Sequence, residues 1–226
     1  MFDNISIPFT KVRMGRFLFL LVSMLLVLIL RPFLEGLIHL HLLTSIFLSL
    51  ILFSGTYALS NSKSTLITAV ILACPIFLPE WLPFLLETSY FKKIHDIFGI
   101  LFFAYTAVIL LSHILKTQEI TLDTISGAIS VYFLIGFVWA YAYSTLETFQ
   151  PGSFKIAVNM VKGIQSFSYY SFVTLTTLGY GDITPLSGPA RSLSVLEAIV
   201  GQLFLAVLIG RLVGIYVSRS TERESN

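Results

Sequence analysis

The sequence predicts an all-α membrane protein in which six transmembrane helices are combined with one re-entrant pore helix and loop. Of its 226 residues, 56% are hydrophobic and only 12% are charged, which is too apolar for a water-soluble domain of this size. Six apolar runs each approach the roughly 20 residues that a helix needs to cross the hydrocarbon core. One further apolar stretch, 167–178, is too short to cross and is followed by a glycine-rich turn.

The six predicted spans carry almost no charged residues away from their ends. Glu80, late in the third run, and Glu197, inside the last, are the two exceptions. Arg211 lies near the end of the last run, where its long side chain can reach the membrane surface. The runs occupy residues 16–34, 37–58, 65–86, 94–115, 125–147 and 191–217.

Basic residues before the first run predict the orientation. Lys11, Arg13 and Arg16 precede it, and such residues favour the cytoplasmic side. An even number of spans returns the C-terminus to the same side. We therefore expect cytoplasmic tails at 1–15 and 218–226, and a multi-pass protein of the plasma membrane. The compact length, without a sorting tail, favours a bacterial inner membrane. The net charge of +2 gives no support for a nucleic-acid partner.

The segment 148–190, between the last two runs, differs from the spans. It begins with a turn-rich stretch, continues through an amphipathic one and then enters 167–178. Non-helical backbone at membrane depth is tolerated only where protein buries it or where it lines a water-filled cavity. The segment is therefore expected to line a cavity within the protein.

Residues 169–182 read Tyr-Tyr-Ser-Phe-Val-Thr-Leu-Thr-Thr-Leu-Gly-Tyr-Gly-Asp. This closely resembles the pore signature of the potassium channel family, in which Thr-x-Gly-Tyr-Gly-Asp follows a short aromatic-rich helix. The resemblance implies a pore helix at 165–176, a selectivity filter at 177–181 and assembly as a homotetramer in the bilayer, since one loop supplies a quarter of the filter. The resemblance also divides the chain into a four-helix membrane domain at 16–120, called the front half below, and a pore domain at 121–217.

The filter would bind K⁺, the permeant ion, through oxygens that replace its water shell. The carbonyls of residues 177–180 would face the ion, and the Thr177 hydroxyl would add the innermost ring. Gly179 and Gly181 fall where positive φ is needed, which glycine adopts cheaply. The pore helix would direct its negative end at the central cavity. The implied potassium ligands are Thr177, Leu178, Gly179, Tyr180 and Gly181.

The sequence departs from the commonest pattern beside the filter. Leu178 replaces the usual valine, which should preserve selectivity because the contact uses the backbone carbonyl. Val173 stands where some members carry a carboxylate, and tyrosines replace frequent tryptophans. We therefore expect the Tyr169 hydroxyl to hold Asp182. The residues expected to support the filter are Tyr169, Tyr170, Thr176, Asp182 and Glu197.

Gly201 aligns with the hinge glycine of the family's inner helix. Glycine eases bending there, but it also allows close packing of helices, and both interpretations stay open. Gln202, Leu205, Ile209 and Val213 share one helical face, which we assign to the cavity and inner gate. Glu197 is either a carboxylate that supports the filter or senses protons, or a hydrogen-bonded structural group.

The first four runs resemble the voltage-sensing front half of six-span cation channels in topology alone. The fourth run contains no series of arginines or lysines, so little intrinsic voltage dependence is expected. Glu80 and Trp81 are interpreted as an interfacial anchor.

No nucleophile and base or cofactor motif is present in the sequence, so neither enzymatic activity nor a cofactor is expected. The function predicted is passive, selective K⁺ conduction. Three alternatives stay open: a poorly selective cation channel, the pore subunit of a potassium uptake transporter, and a non-conducting subunit that modifies a partner. The identity of any regulatory subunit stays open too.

Overall fold

The computed structural model describes residues 15–34, 40–60, 62–82, 88–117, 121–157 and 163–224. Within them the chain is mostly helical. The helices are α1 (Arg16–Leu34), α2 (Leu40–Ala58), α3 (Lys63–Trp81), α4 (Ser89–Lys116), α5 (Leu122–Phe149), α6 (Ile164–Leu175) and α7 (Gly188–Glu224). Two three-residue strands, β1 (Phe154–Ile156) and β2 (Ile183–Pro185), flank α6.

A helix lies at each of the six predicted spans, although the helix bounds differ from the predictions. The outer helix, predicted at 125–147, spans Leu122–Phe149, and the inner helix, predicted at 191–217, spans Gly188–Glu224. Among the described residues, four helices are long and apolar enough to cross a membrane: Lys63–Trp81, Tyr90–Lys116, Leu122–Phe149 and Gly188–Arg211. Arg16–Leu30 and Ser45–Ala58 are shorter apolar helices. The protein is therefore a multi-pass membrane protein.

The two short strands correct the all-α prediction. They pair antiparallel, with Lys155 opposite Thr184, and so bring the two ends of the α6 segment together. Glu147, near the end of α5, accepts hydrogen bonds from the main-chain N–H groups of Gly152 (2.9 Å) and Phe154 (3.2 Å). This carboxylate fixes the turn between α5 and β1, which positions α6 against the outer helix.

Aromatic packing joins α4 to α5 in the core. The rings of Phe103 and Phe137 stack with centroids 5.2 Å apart, and Tyr141 lies 5.5 Å from Phe103. Serine hydroxyls connect the other front-half helices, as between Ser23 and Ser54 (2.7 Å). Small polar residues of this kind let membrane helices approach closely and hydrogen-bond without water.

One sequence interpretation is wrong. Glu80 is not an interfacial anchor, because it is 6% exposed and lies beside His95 inside the helix bundle. Trp81, the next residue, does lie at the surface, and its indole N–H donates to Ser49 (3.0 Å).

Candidate pore site

A short helix, α6, lies at Ile164–Leu175, where the sequence predicts a pore helix at 165–176. Its aromatic side chains pack inward. Phe154 of β1 contacts Phe167 and Tyr170 with ring centroids 5.1 and 5.5 Å apart, and Tyr143 of α5 lies 5.1 Å from Tyr170. Edge-to-face packing of this kind is directional, so it fixes the orientation of α6 as well as its depth.

The chain leaves α6 in an unusual backbone conformation. The main-chain N–H groups of Leu178 (2.9 Å) and Gly179 (3.3 Å) both donate to the carbonyl of Val173. The φ angle is positive at Thr177 (61°), Gly179 (57°) and Gly181 (80°), but not at the two residues between them. The positive φ predicted for the two glycines is confirmed. Thr177 was not expected to share it, since a threonine in this region is strained.

The alternation of φ has a geometric consequence. In an ordinary strand successive carbonyls point to opposite sides, whereas alternation between left- and right-handed φ turns them toward a common side. Residues 176–181 are all exposed on the single chain, with Leu178 at 55% and Tyr180 at 67%. Backbone oxygens arranged in this way would be a suitable ligand set for a cation.

Asp182 is anchored immediately after this segment. The Tyr169 hydroxyl donates to its Oδ2 (2.6 Å), as expected from the sequence, while its Oδ1 accepts from the N–H of Ile183 (2.9 Å). Desolvation at this position, with the hydrogen bond to Asp182, raises the pKa of Tyr169 to about 12, so the hydroxyl keeps its proton. Both carboxylate oxygens are thereby held at the C-terminal end of the segment.

The side chains of two other predicted support residues, Tyr170 and Thr176, form hydrogen bonds elsewhere. The Tyr170 hydroxyl pairs with Ser194 of α7 (2.7 Å), so it ties α6 to the inner helix. Thr176 donates to the carbonyl of Phe172 (2.6 Å), within the last turn of α6. Neither side chain has a recorded hydrogen bond to residues 177–181.

Glu197 is fully buried between three helices. It accepts hydrogen bonds from the hydroxyls of Tyr143 on α5 and Ser171 on α6. The Ser171 hydroxyl also lies 2.7 Å from the carbonyl of Gly136 on α5. The carboxyl group therefore joins α5, α6 and α7 directly behind α6.

Gly201 packs against the end of α6. A Cβ atom placed on it would lie 2.3 Å from the carbonyl oxygen of Leu175, the last residue of that helix. The same carbonyl accepts a hydrogen bond from the Tyr132 hydroxyl of α5 (3.1 Å). The inner helix is continuous through Gly201, so the structure favours the close-packing interpretation and leaves bending as a prediction.

The predicted cavity face is only partly described. Gln202, Leu205 and Ile209 are exposed on the single chain, but so are neighbours on other faces, including Leu203 and Val207. The side chain of Val213 lies outside the described residues. Exposure therefore does not separate a cavity face from a surface that meets lipid or another subunit.

Sequence reasoning missed several contacts of the site. It did not identify Tyr132, Tyr143 or Ser171, because a hydroxyl in an apolar helix carries no sign of its partner. It also gave Arg211 no partner in the protein. In the structure Arg211 donates to the carbonyls of Ile114 (2.8 Å) and Thr117 (2.9 Å) at the end of α4.

Comparison with known proteins places the site in a family. Residues 120–218 match a family model described as ion channel. Protein LctB of Geobacillus stearothermophilus is 30% identical over 102 residues, which cover 43% of this chain and 75% of that protein. The LctB protein of Bacillus caldotenax is 29% identical over the same lengths. Two pore potassium channel c of Oryza sativa subsp. japonica is 33% identical over 63 residues, 28% of this chain but 14% of that protein. Together with the geometry of the α6 segment, these matches show that the chain belongs to the ion channel family.

Proposed function

We propose that four copies of this chain form a potassium-selective channel, in which residues 177–181 of each copy line one shared filter. The observation that carries the proposal is the alternation of φ at Thr177, Gly179 and Gly181, which turns successive carbonyls to one side. Four such rows around an axis would replace the water shell of K⁺. The likeness to a named potassium channel of rice supports the choice of ion.

The tetramer is supported by surfaces that one chain leaves uncovered. The filter segment and much of α7 are exposed, including apolar residues such as Leu196, Leu203 and Val207. Around a fourfold axis, part of α7 would meet neighbouring subunits, while Gln202, Leu205, Ile209 and Val213 would line the cavity. Gly201 would permit bending of the inner helix between closed and open states.

The proposed membrane arrangement has six spans, with both termini cytoplasmic and the Tyr169–Asp182 pair at the outer mouth. For a bacterial chain, the compartment would be the inner membrane. Voltage dependence should be weak, since α4 carries Lys92 and Lys93 only at its start and Lys116 at its end. Steep dependence requires several charges that move through the field. Conduction is passive, so the protein would carry out no catalytic step.

Ion flux from purified protein in liposomes tests the proposal. Wild-type protein should release K⁺ and discriminate against Na⁺ in mixed-ion reversal potentials. Gly179→Ala should abolish flux, because alanine opposes the positive φ that the filter needs. Gly152→Ala is the matched control: its φ is also positive (84°) and, as at Gly179, no atom lies within 4 Å of the added Cβ, but Gly152 lies in a turn outside the proposed filter.

The outcomes separate the alternatives. Equal permeability to Na⁺ and K⁺ would identify a poorly selective cation channel. No flux from well-folded protein would contradict conduction by the chain alone and favour a modifying subunit. Flux that Gly179→Ala leaves intact would exclude these residues as the ion path.

A further inference from the structure

Three ionisable side chains are buried together at the ends of α3 and α4, away from the α6 segment. Glu80 is 6% exposed, His95 3% and Asp96 2%. Two carboxylates in such a place are unfavourable unless they are paired or protonated. In the part of the chain that the structure describes, both ion pairs within 4 Å have His95 as the basic partner.

The positions of the hydrogens can be deduced from the contacts. His95 Nδ1 lies 3.0 Å from Asp96 Oδ1, and Asp96 Oδ2 accepts from the Ser144 hydroxyl (2.6 Å). His95 Nε2 lies 3.5 Å from Glu80 Oε1 and is buried, with no hydrogen-bond partner among the described residues. A neutral imidazole has one N–H, which the contact with Asp96 uses.

Without a further hydrogen, the Nε2 lone pair would face a carboxylate oxygen in a dry environment. Two acceptors in that arrangement repel each other, and no other described side chain donates to Nε2. The contact becomes favourable when one proton lies between Nε2 and Oε1, on either atom. At 3.5 Å the separation of Nε2 and Oε1 is that of an ion pair, longer than a charge-assisted hydrogen bond.

Among the described residues, the groups around His95 do not supply this hydrogen to Nε2. From α5, the Tyr141 ring lies 5.6 Å from the His95 ring. From α2, Ser45 donates to the main-chain carbonyl of Glu80. On α4 itself, Lys93 lies over the Phe149 ring, with Nζ 4.6 Å from the centroid, and Lys92 is half-buried one turn before Asp96.

We propose that Glu80 and His95 form a proton-binding site that ties α3 to the α4–α5 pair. The tie is present while the proton is bound and is weakened when the proton leaves. In the proposed orientation this site lies on the outer side, so the ligand is an extracellular proton. The tie itself does not depend on ion conduction, and its test requires none.

The decisive variant is Glu80→Gln. Its amide can donate to Nε2 without a titratable proton, so the tie should persist at every pH. The melting temperature of the purified protein in detergent is measured at several pH values between about 6 and about 10. Wild-type melting should fall by about 2–4 °C more than that of Glu80→Gln, since separation of the helices releases the proton. His113→Gln is the matched control, because His113 is exposed on the same helix and should keep the wild-type slope.

Two results would overturn the proposal. One is a folded Glu80→Gln protein that keeps the wild-type dependence of melting temperature on pH. The other is a wild-type melting temperature that is flat over the range, which needs no variant. If Glu80→Gln does not fold, His95→Gln makes the same comparison, because its amide can still donate to Asp96 but has no titratable nitrogen.

Discussion

Gly201→Ala tests whether the inner-helix glycine is needed for close packing. The added Cβ would lie 2.3 Å from the Leu175 carbonyl oxygen, whereas ordinary contact begins at 3.4 Å. The end of α6 would therefore retreat by about 1 Å, and the neighbouring atom is backbone, not a flexible side-chain tip. Overpacking of this kind typically costs about 1–3 kcal/mol, against a gain of about 1 kcal/mol or less from helix propensity.

The assay compares Gly201→Ala with Gly210→Ala on the same helix, where no atom lies within 4 Å of the added Cβ. A cost of about 2 kcal/mol lowers the melting temperature of a protein of this size by about 4–8 °C. Gly210→Ala should leave melting unchanged or raise it slightly. Potassium flux should fall in the first variant, because the displaced carbonyl lies two residues before the proposed filter segment.

The reasoning fails if Gly201→Ala melts like the wild-type protein. If its open probability falls while its melting temperature is unchanged, the hinge interpretation is favoured, since alanine stiffens a helix without disturbing α6. Melting temperature and open probability together therefore distinguish the two roles.

Three further predictions concern the hydrogen bonds of individual side chains. Tyr169→Phe removes the hydroxyl that holds Asp182, so flux should decline faster during sustained conduction than in the control Tyr170→Phe. The hydroxyl lost in the control pairs with α7 and not with Asp182. Equal time courses for the two variants would contradict this prediction. Glu197→Leu leaves the buried Tyr143 hydroxyl without its acceptor, while the Ser171 hydroxyl keeps the Gly136 carbonyl, so the variant should be destabilised by about 1–3 kcal/mol. Glu197→Gln keeps an acceptor and should melt at a higher temperature than the leucine variant; the reverse order would count against the assigned contacts. Arg211→Gln removes a guanidinium bound to two carbonyls at the end of α4 and should change the open probability in single-channel records. Arg211→Lys should have an intermediate effect. Identical records for all three proteins would show that the contact does not affect gating.

Much of the site could be predicted from sequence because its chemistry is local. Gly179 and Gly181 report a positive φ directly, since glycine is the residue that adopts it cheaply. The pairing of Tyr169 with Asp182 followed from the resemblance to the potassium channel pore, because Val173 stands where some members carry a carboxylate and Tyr169 where a tryptophan is frequent. A motif match of this kind needs no knowledge of how the distant helices pack.

The remaining features depend on helices distant in sequence. Glu197 and Tyr143 are 54 residues apart, and Glu80 and His95 meet only because α3 and α4 pack side by side. Hydropathy alone placed Glu80 at the membrane surface, because a charge near the end of an apolar run usually lies there. Only the packing of α3 against α4 reveals a partner that makes its burial possible.

The outer helix α5 contacts both halves of the chain. Its Ser144 hydroxyl binds Asp96 of α4, while its Tyr132 hydroxyl and Gly136 carbonyl contact the pore helix, at Leu175 and Ser171. The α4–α5 contact is a buried core of aromatic rings, which resists gradual deformation because close-packed interiors have few empty spaces. A shift of α4 would therefore move α5, and with it the residues that hold the end of the pore helix. In the proposed channel the front half would therefore influence the filter without sensing arginines, since the coupling would depend on packing and hydrogen bonds that a ligand of the front half could bias.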